Sequence, residues 1–68
     1  MSPLVFRLQE LRLAEGWSQR DLAAKLGISN RAVSDLESGK TRRIDVDLLD
    51  RIATLFGVPV GTLFAEAP

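Results

Sequence analysis

The chain has no cysteine, no histidine and no tyrosine. Without cysteine it can form no disulfide and offers no thiolate metal site, a composition suited to a reducing compartment and so to a cytoplasmic protein. Lacking His, Cys and Tyr, and with its carboxylates scattered over helix faces, it has few of the acids, bases and nucleophiles that catalysis uses, so no enzyme, cofactor or metal site is expected. Long apolar runs are missing too: the N-terminal MSPLVFRLQE is broken by Arg7 and Glu10, and nowhere do about 18 apolar residues follow one another, so neither secretion nor a membrane span is expected. No segment alternates with period two, so no strand is expected. Repeats, linkers and low-complexity stretches are absent.

Net charge is zero, nine basic residues against nine acidic, which at first speaks against a polyanionic partner. The distribution says otherwise. Residues 18 to 44 hold Arg20, Lys25, Arg31, Lys40, Arg42 and Arg43 against Asp21, Asp35 and Glu37, a surplus of three positive charges. Residues 45 to 68 hold Asp45, Asp47, Asp50 and Glu66 against Arg51, a surplus of three negative ones. The middle of the chain is suited to an anion.

Sixty-eight residues make one domain, 1–68, with a small core. Leu4, Leu8 and Leu11, with Val5 beside them, follow helical spacing and predict a first helix over Pro3 to Glu15, stopped by Gly16. Ser18 caps a second helix, with Asp21 as the acid of a shortened capping box and Leu22, Ala23 and Leu26 as its buried face; Gly27 ends it. Ser29 caps a third, with Ala32, Val33 and Leu36 inward and Gly39 as its stop. After a basic loop from Lys40 to Ile44, Asp45 caps a fourth helix, Asp47 complements its dipole, and Leu48, Leu49, Ile52, Ala53, Leu55 and Phe56 form its apolar face until Gly57. Pro59 to Phe64 reads as a short fifth helix.

A helix, a three-residue turn with glycine and a second short helix have the geometry of the DNA-reading helix-turn-helix. At 100° per residue, Asn30, Arg31, Ser34, Asp35 and Ser38 share about 140° of arc on the third helix, opposite Ala32, Val33 and Leu36. A solvated face would satisfy this pattern. The residue types favour readout, because Asn pairs with adenine, Arg with guanine, and Asp accepts from cytosine N4.

The pairs and runs Ser18-Gln19, Leu22-Ala23, Leu26-Gly27-Ile28-Ser29, Val33-Ser34, Leu36-Glu37 and Gly39-Lys40 carry a resemblance. With Leu48, Ile52-Ala53, Leu55-Phe56-Gly57-Val58 and Leu63-Phe64, they resemble the Cro and phage-repressor (xenobiotic-response-element) helix-turn-helix family over residues 8 to 64. That resemblance implies an all-α, compact five-helix, lambda-repressor-like domain that binds operator DNA, commonly as a dimer and commonly as a repressor. It implies base contacts from Asn30, Arg31, Ser34 and Asp35, and phosphate contacts from Gln19, Ser29, Ser38, Lys40, Arg42 and Arg43. It also implies a structural ion pair between Arg12 and Glu37. Trp17 stands where the family has an aliphatic core residue and is expected in the core. Pro59-Val60-Gly61 replaces the usual polar start of the fifth helix and weakens it. The expected partners are double-stranded DNA with a palindromic operator and a second copy of the chain, joined through Val60, Leu63 and Phe64. The rival reading is an antitoxin-like or regulatory module whose main partner is a protein, docked on an apolar patch of Val58, Val60, Leu63 and Phe64.

Overall fold

Three of the helices in this chain are bounded by a side-chain cap at one end and glycine at the other, and a computed structural model describing residues 4–41 and 43–66 shows how they assemble. Strand β1 (Leu4–Phe6) is followed by helices α1 (Leu8–Ala14), α2 (Gln19–Leu26), α3 (Asn30–Ser38) and α4 (Val46–Phe56), a single 3-10 turn (Val60–Leu63) and strand β2 (Phe64–Glu66). At the start of α2, Ser18 and Asp21 exchange both capping-box bonds: the Ser18 hydroxyl accepts from the Asp21 amide at 3.0 Å, and the Ser18 amide donates to Asp21 Oδ2 at 2.9 Å. Ser29 Oγ accepts from the Ala32 amide at 3.0 Å, and Asp45 Oδ1 from the Asp47 amide at 2.8 Å. Gly27 has φ 69°, the left-handed conformation that lets the chain leave α2 and enter the α3 cap within three residues.

Four helices, not five, are present among the described residues, and a two-stranded sheet stands where no strand was expected, so three expectations are corrected. The first helix begins at Leu8, because Leu4 to Phe6 pair antiparallel with the other end of the chain: Leu4 opposite Glu66, Val5 opposite Ala65, Phe6 opposite Phe64. Pro3, where that helix was expected to begin, lies outside the described residues. The expected fifth helix is only a 3-10 turn, closed by the Thr62 amide and hydroxyl on the Pro59 carbonyl at 3.0 and 2.7 Å, before the chain extends into β2. Proline at 59 and glycine at 61 leave too few helix-forming residues to propagate an α-helix. The sheet is fastened by the Phe6–Phe64 stack, with ring centroids 5.1 Å apart, and by Arg7, whose amide and guanidinium donate to the carbonyls of Leu63 and Thr62 at 2.7 Å each.

The core joins Leu8 of α1, Leu22, Ala23 and Leu26 of α2, Val33 and Leu36 of α3, Ile52 and Ala53 of α4, and Leu63. Burying each of the larger side chains contributes roughly 1.5–3 kcal/mol. Leu63 is fully buried, and Val60 and Phe64 are both half-buried, Phe64 against Phe6, so the apolar C-terminal patch expected to meet a second copy is largely used within the chain. Trp17 is half-buried at the edge of the core, its ring 5.5 Å from that of Phe56, with Lys25 Nζ 4.6 Å above it. Arg51 donates to the Leu26 carbonyl, tying α4 to the open end of α2.

Candidate nucleic-acid interface

The two-helix unit is built by opposed faces. Val33 and Leu36 pin α3 into the core, and this turns Asn30, Arg31, Ser34 and Ser38 to solvent, with Asp35 half-buried beside them. The Arg31 side chain is 91% exposed; its Nε stands 4.0 Å from Asp35 Oδ2, too far for a hydrogen bond. Ser29 caps α3 with its oxygen, which leaves the hydroxyl proton for another acceptor. Ser38 Oγ lies 3.4 Å from the Asp35 carbonyl, and that carbonyl also accepts from the amides of Gly39, Lys40 and Thr41. The basic loop is thereby fastened to the last turn of α3, and Lys40 leaves directly from the polar face. Arg43 is exposed and lines a concavity with Asp35, Thr41 and Asp45. Arg42 lies outside the described residues.

Behind this face sits a buried charge pair. Arg12 Nε donates to Glu37 Oε2 at 2.6 Å and Nη2 to Oε1 at 3.0 Å, the two-point geometry that suits guanidinium and carboxylate. Arg12 Nη1 donates to the Trp17 carbonyl at 2.7 Å, so one residue joins α1, the turn before α2, and α3. The side chains are 7% and 4% exposed. Burial alone would push the Glu37 carboxyl up; the hydrogen bonds from Arg12 and Gln19 and the Arg12 charge outweigh it and hold the group below the usual carboxylate range. The hydrogen bonds to Glu37 also raise Arg12 above its ordinary value.

Gln19 is not simply turned outward. Its Nε2 donates to Glu37 Oε1 at 3.0 Å, and the half-buried side chain lines a polar concavity of about 190 Å³ with Gln9, Ser34, Glu37 and Ser38. Gln9 on α1 was missed by sequence reasoning. The available signal was its position three residues before Arg12, which places the two on one side of α1. The structure therefore gathers Gln19, Ser34 and Ser38 in one place. It sets Arg43 beside Asp35.

A capped helix pair, a left-handed glycine turn, an exposed polar arc on the second helix and a buried pair bracing it define a helix-turn-helix domain. Residues 8–63 match the family model described as Helix-turn-helix, and the chain belongs to that family, in its Cro and phage-repressor form, a class of DNA-binding transcriptional regulators. Among solved structures, the master regulator for biofilm formation SinR in complex with DNA is similar with a TM-score of 0.76 and 26% identity, over 84% of this chain and 90% of that one. The N-terminal DNA-binding domain of SinR from Bacillus subtilis is similar with a TM-score of 0.75 and 26% identity, over 84% and 83%. A complex of SinR with SinI has a TM-score of 0.76 and 26% identity, over 84% of this chain and 55% of the other. Among curated protein sequences none matches.

Proposed function

We propose that the chain represses transcription by binding operator DNA with α3 in the major groove. The observation that carries this reading is the outward arc of α3, exposed and held rigidly from behind by Arg12 and Glu37. Asn30, Arg31, Ser34 and Asp35 meet base edges, whose major-groove donors and acceptors distinguish all four base pairs. Gln19, Ser29, Ser38, Lys40, Arg42 and Arg43 meet phosphates and fix the register. The SinR structure solved with DNA supports this use of the fold. Residues 1–68 act as one binding domain rather than as an enzyme.

The operator is palindromic and the chain binds it as a homodimer, since closed two-fold pairing is the commonest protein symmetry and matches half-sites on a duplex. With Leu63 in the core, the second copy meets the C-terminal region through Val60 and Phe64; Val60 lines a groove with Val58, Pro59, and Asp50 and Thr54 of α4. A protein partner is the second reading, favoured by the SinR–SinI complex among the similar structures. Selection from a random DNA pool, followed by anisotropy titration of the selected site, tests both. A palindrome bound by two copies is expected. Failure to enrich any sequence, with the folded state intact, would reject the DNA-binding reading.

A further inference from the structure

A glutamine amide has two orientations of nearly equal shape, and its partners decide between them. The partner of Gln19 is the Glu37 carboxylate, which carries two hydrogen bonds from Arg12 and whose side chain is 4% exposed. An ionised carboxylate only accepts. Gln19 must therefore turn Nε2 toward it, as observed at 3.0 Å; the opposite orientation would set the amide oxygen against Glu37 Oε1. Hydrogen bonds to charged groups favour the made over the unmade arrangement by roughly ten- to a hundredfold. The amide thus has one orientation, and its oxygen and second N–H are left at the concavity shared with Ser34 and Ser38, at the edge of the arc assigned to DNA.

We propose that Glu37 is a positioning residue for DNA binding: clamped by Arg12, it holds the Gln19 amide in one orientation so that a single N–H is ready for the DNA backbone. This rests on the reading of α3 as the DNA-facing helix. It gives the buried pair a role beyond bracing the helices, because an apolar pair of equal volume would brace α1 against α3 and leave Gln19 free to turn. A phosphate oxygen accepts only, so an amide already turned the right way loses no rotational freedom on binding. Since Gln19 is uncharged, this contact displaces no counterion and adds affinity without adding to the salt dependence.

Two measurements test the inference. In the wild-type protein labelled with ¹⁵N, without DNA, the two Nε2 protons of Gln19 should be well separated in shift, with one slow to exchange, whereas those of the exposed Gln9 should look like a free amide. Two alike glutamine side chains would overturn the proposal. On the selected DNA site, Gln19→Ala should weaken binding about fivefold, the size of one net hydrogen bond. In a Glu37→Gln background, where the new amide at position 37 can both donate and accept, the same change should cost less than about twofold. An equal loss in both backgrounds would overturn the positioning role while leaving DNA binding in place. No binding by the wild-type chain would instead reject the DNA-binding reading on which the proposal stands. Should Glu37→Gln not fold, the wild-type amide spectrum and Gln19→Ala decide: a held amide with a fivefold loss and an unchanged salt slope supports the proposal. A free amide, or no loss, overturns it.

Discussion

Replacing Glu37 by alanine should destabilise the domain far more than a surface ion pair could. The substitution deletes the acceptor of Arg12 Nε, Arg12 Nη2 and Gln19 Nε2 and leaves only the Trp17 carbonyl bonded to Arg12. The Arg12 side chain is 7% exposed, so its charge keeps little water and loses its counter-charge at the same time. Breaking a buried pair from one side costs about 3–5 kcal/mol, and we expect the lower part of that range because the pair lies close beneath the α3 surface. A 68-residue chain has, at roughly 0.05–0.15 kcal/mol per residue, a total stability of about 3–10 kcal/mol, so the loss removes from about a third to all of it. Urea denaturation followed by the fluorescence of the single tryptophan, Trp17, and by helical circular dichroism measures the loss. The control is the double replacement Arg12→Met with Glu37→Leu, which removes both charges and should recover most of the stability. A loss below about 1 kcal/mol for Glu37→Ala, or a double variant no better than the single one, would refute the reasoning.

Other outcomes follow from the same geometry. Glu37 lies below the usual carboxylate range despite burial, through its bonds to Arg12 and Gln19, and Asp21 through the Ser18 amide and hydroxyl. A depressed folded-state pKa gives stability that is present above the unfolded value of about 4 and lost as pH falls through the folded one, so the urea midpoint should drop on acidification below about pH 4, less steeply in Glu37→Gln. Ser29→Ala removes the α3 cap and should cost about 1 kcal/mol in the same assay. Lys40→Ala should weaken all DNA sequences alike and lower the slope of log affinity against log salt by about one; salt-independent binding would refute phosphate contact. Arg31→Ala should cost about 1–3 kcal/mol at one operator position and relax the preference there, whereas an unchanged selected sequence would reject base contact.

Local chemistry made most of the helical frame legible. Ser18, Asp21, Ser29 and Asp45 announced helix starts and bond as caps, because a cap depends on residues two or three positions away. The spacing of Leu22, Ala23, Leu26, Val33, Leu36, Ile52 and Ala53 likewise identified the buried faces. What escaped was non-local. Strand β1 is three residues long, too short to show alternation, and its partner β2 lies at the opposite end of the chain. Leu63 was read as a docking residue because a short apolar segment carries no sign of whether it faces a second copy or its own core. At the site, the exposed arc of α3 was readable from periodicity, but the Gln19–Glu37 bond and the place of Gln9 depend on how three helices meet.

The charge balance then acquires a physical meaning. Phosphate attraction is sequence-independent and grows with the number of cations presented, so a uniformly basic domain would bind all DNA. Here the positive surplus is confined to residues 18–44, around the helix pair, and the negative surplus to residues 45–68, where Asp45, Asp47 and Asp50 are exposed on α4 and the turn before it. The zero total limits attraction at a distance, while the asymmetry favours approach with the positive segment leading. On the proposed reading, a domain built this way relies on short-range contacts from α3 for much of its affinity. Neutralising Asp45 and Asp47 together, as Asp45→Asn with Asp47→Asn, keeps a side-chain oxygen at the α4 cap and should tighten non-specific binding more than specific binding. That change narrows the ratio between the two, measured on selected and scrambled duplexes at one salt concentration. Equal tightening on both duplexes would show that the acidic segment does not contribute to discrimination.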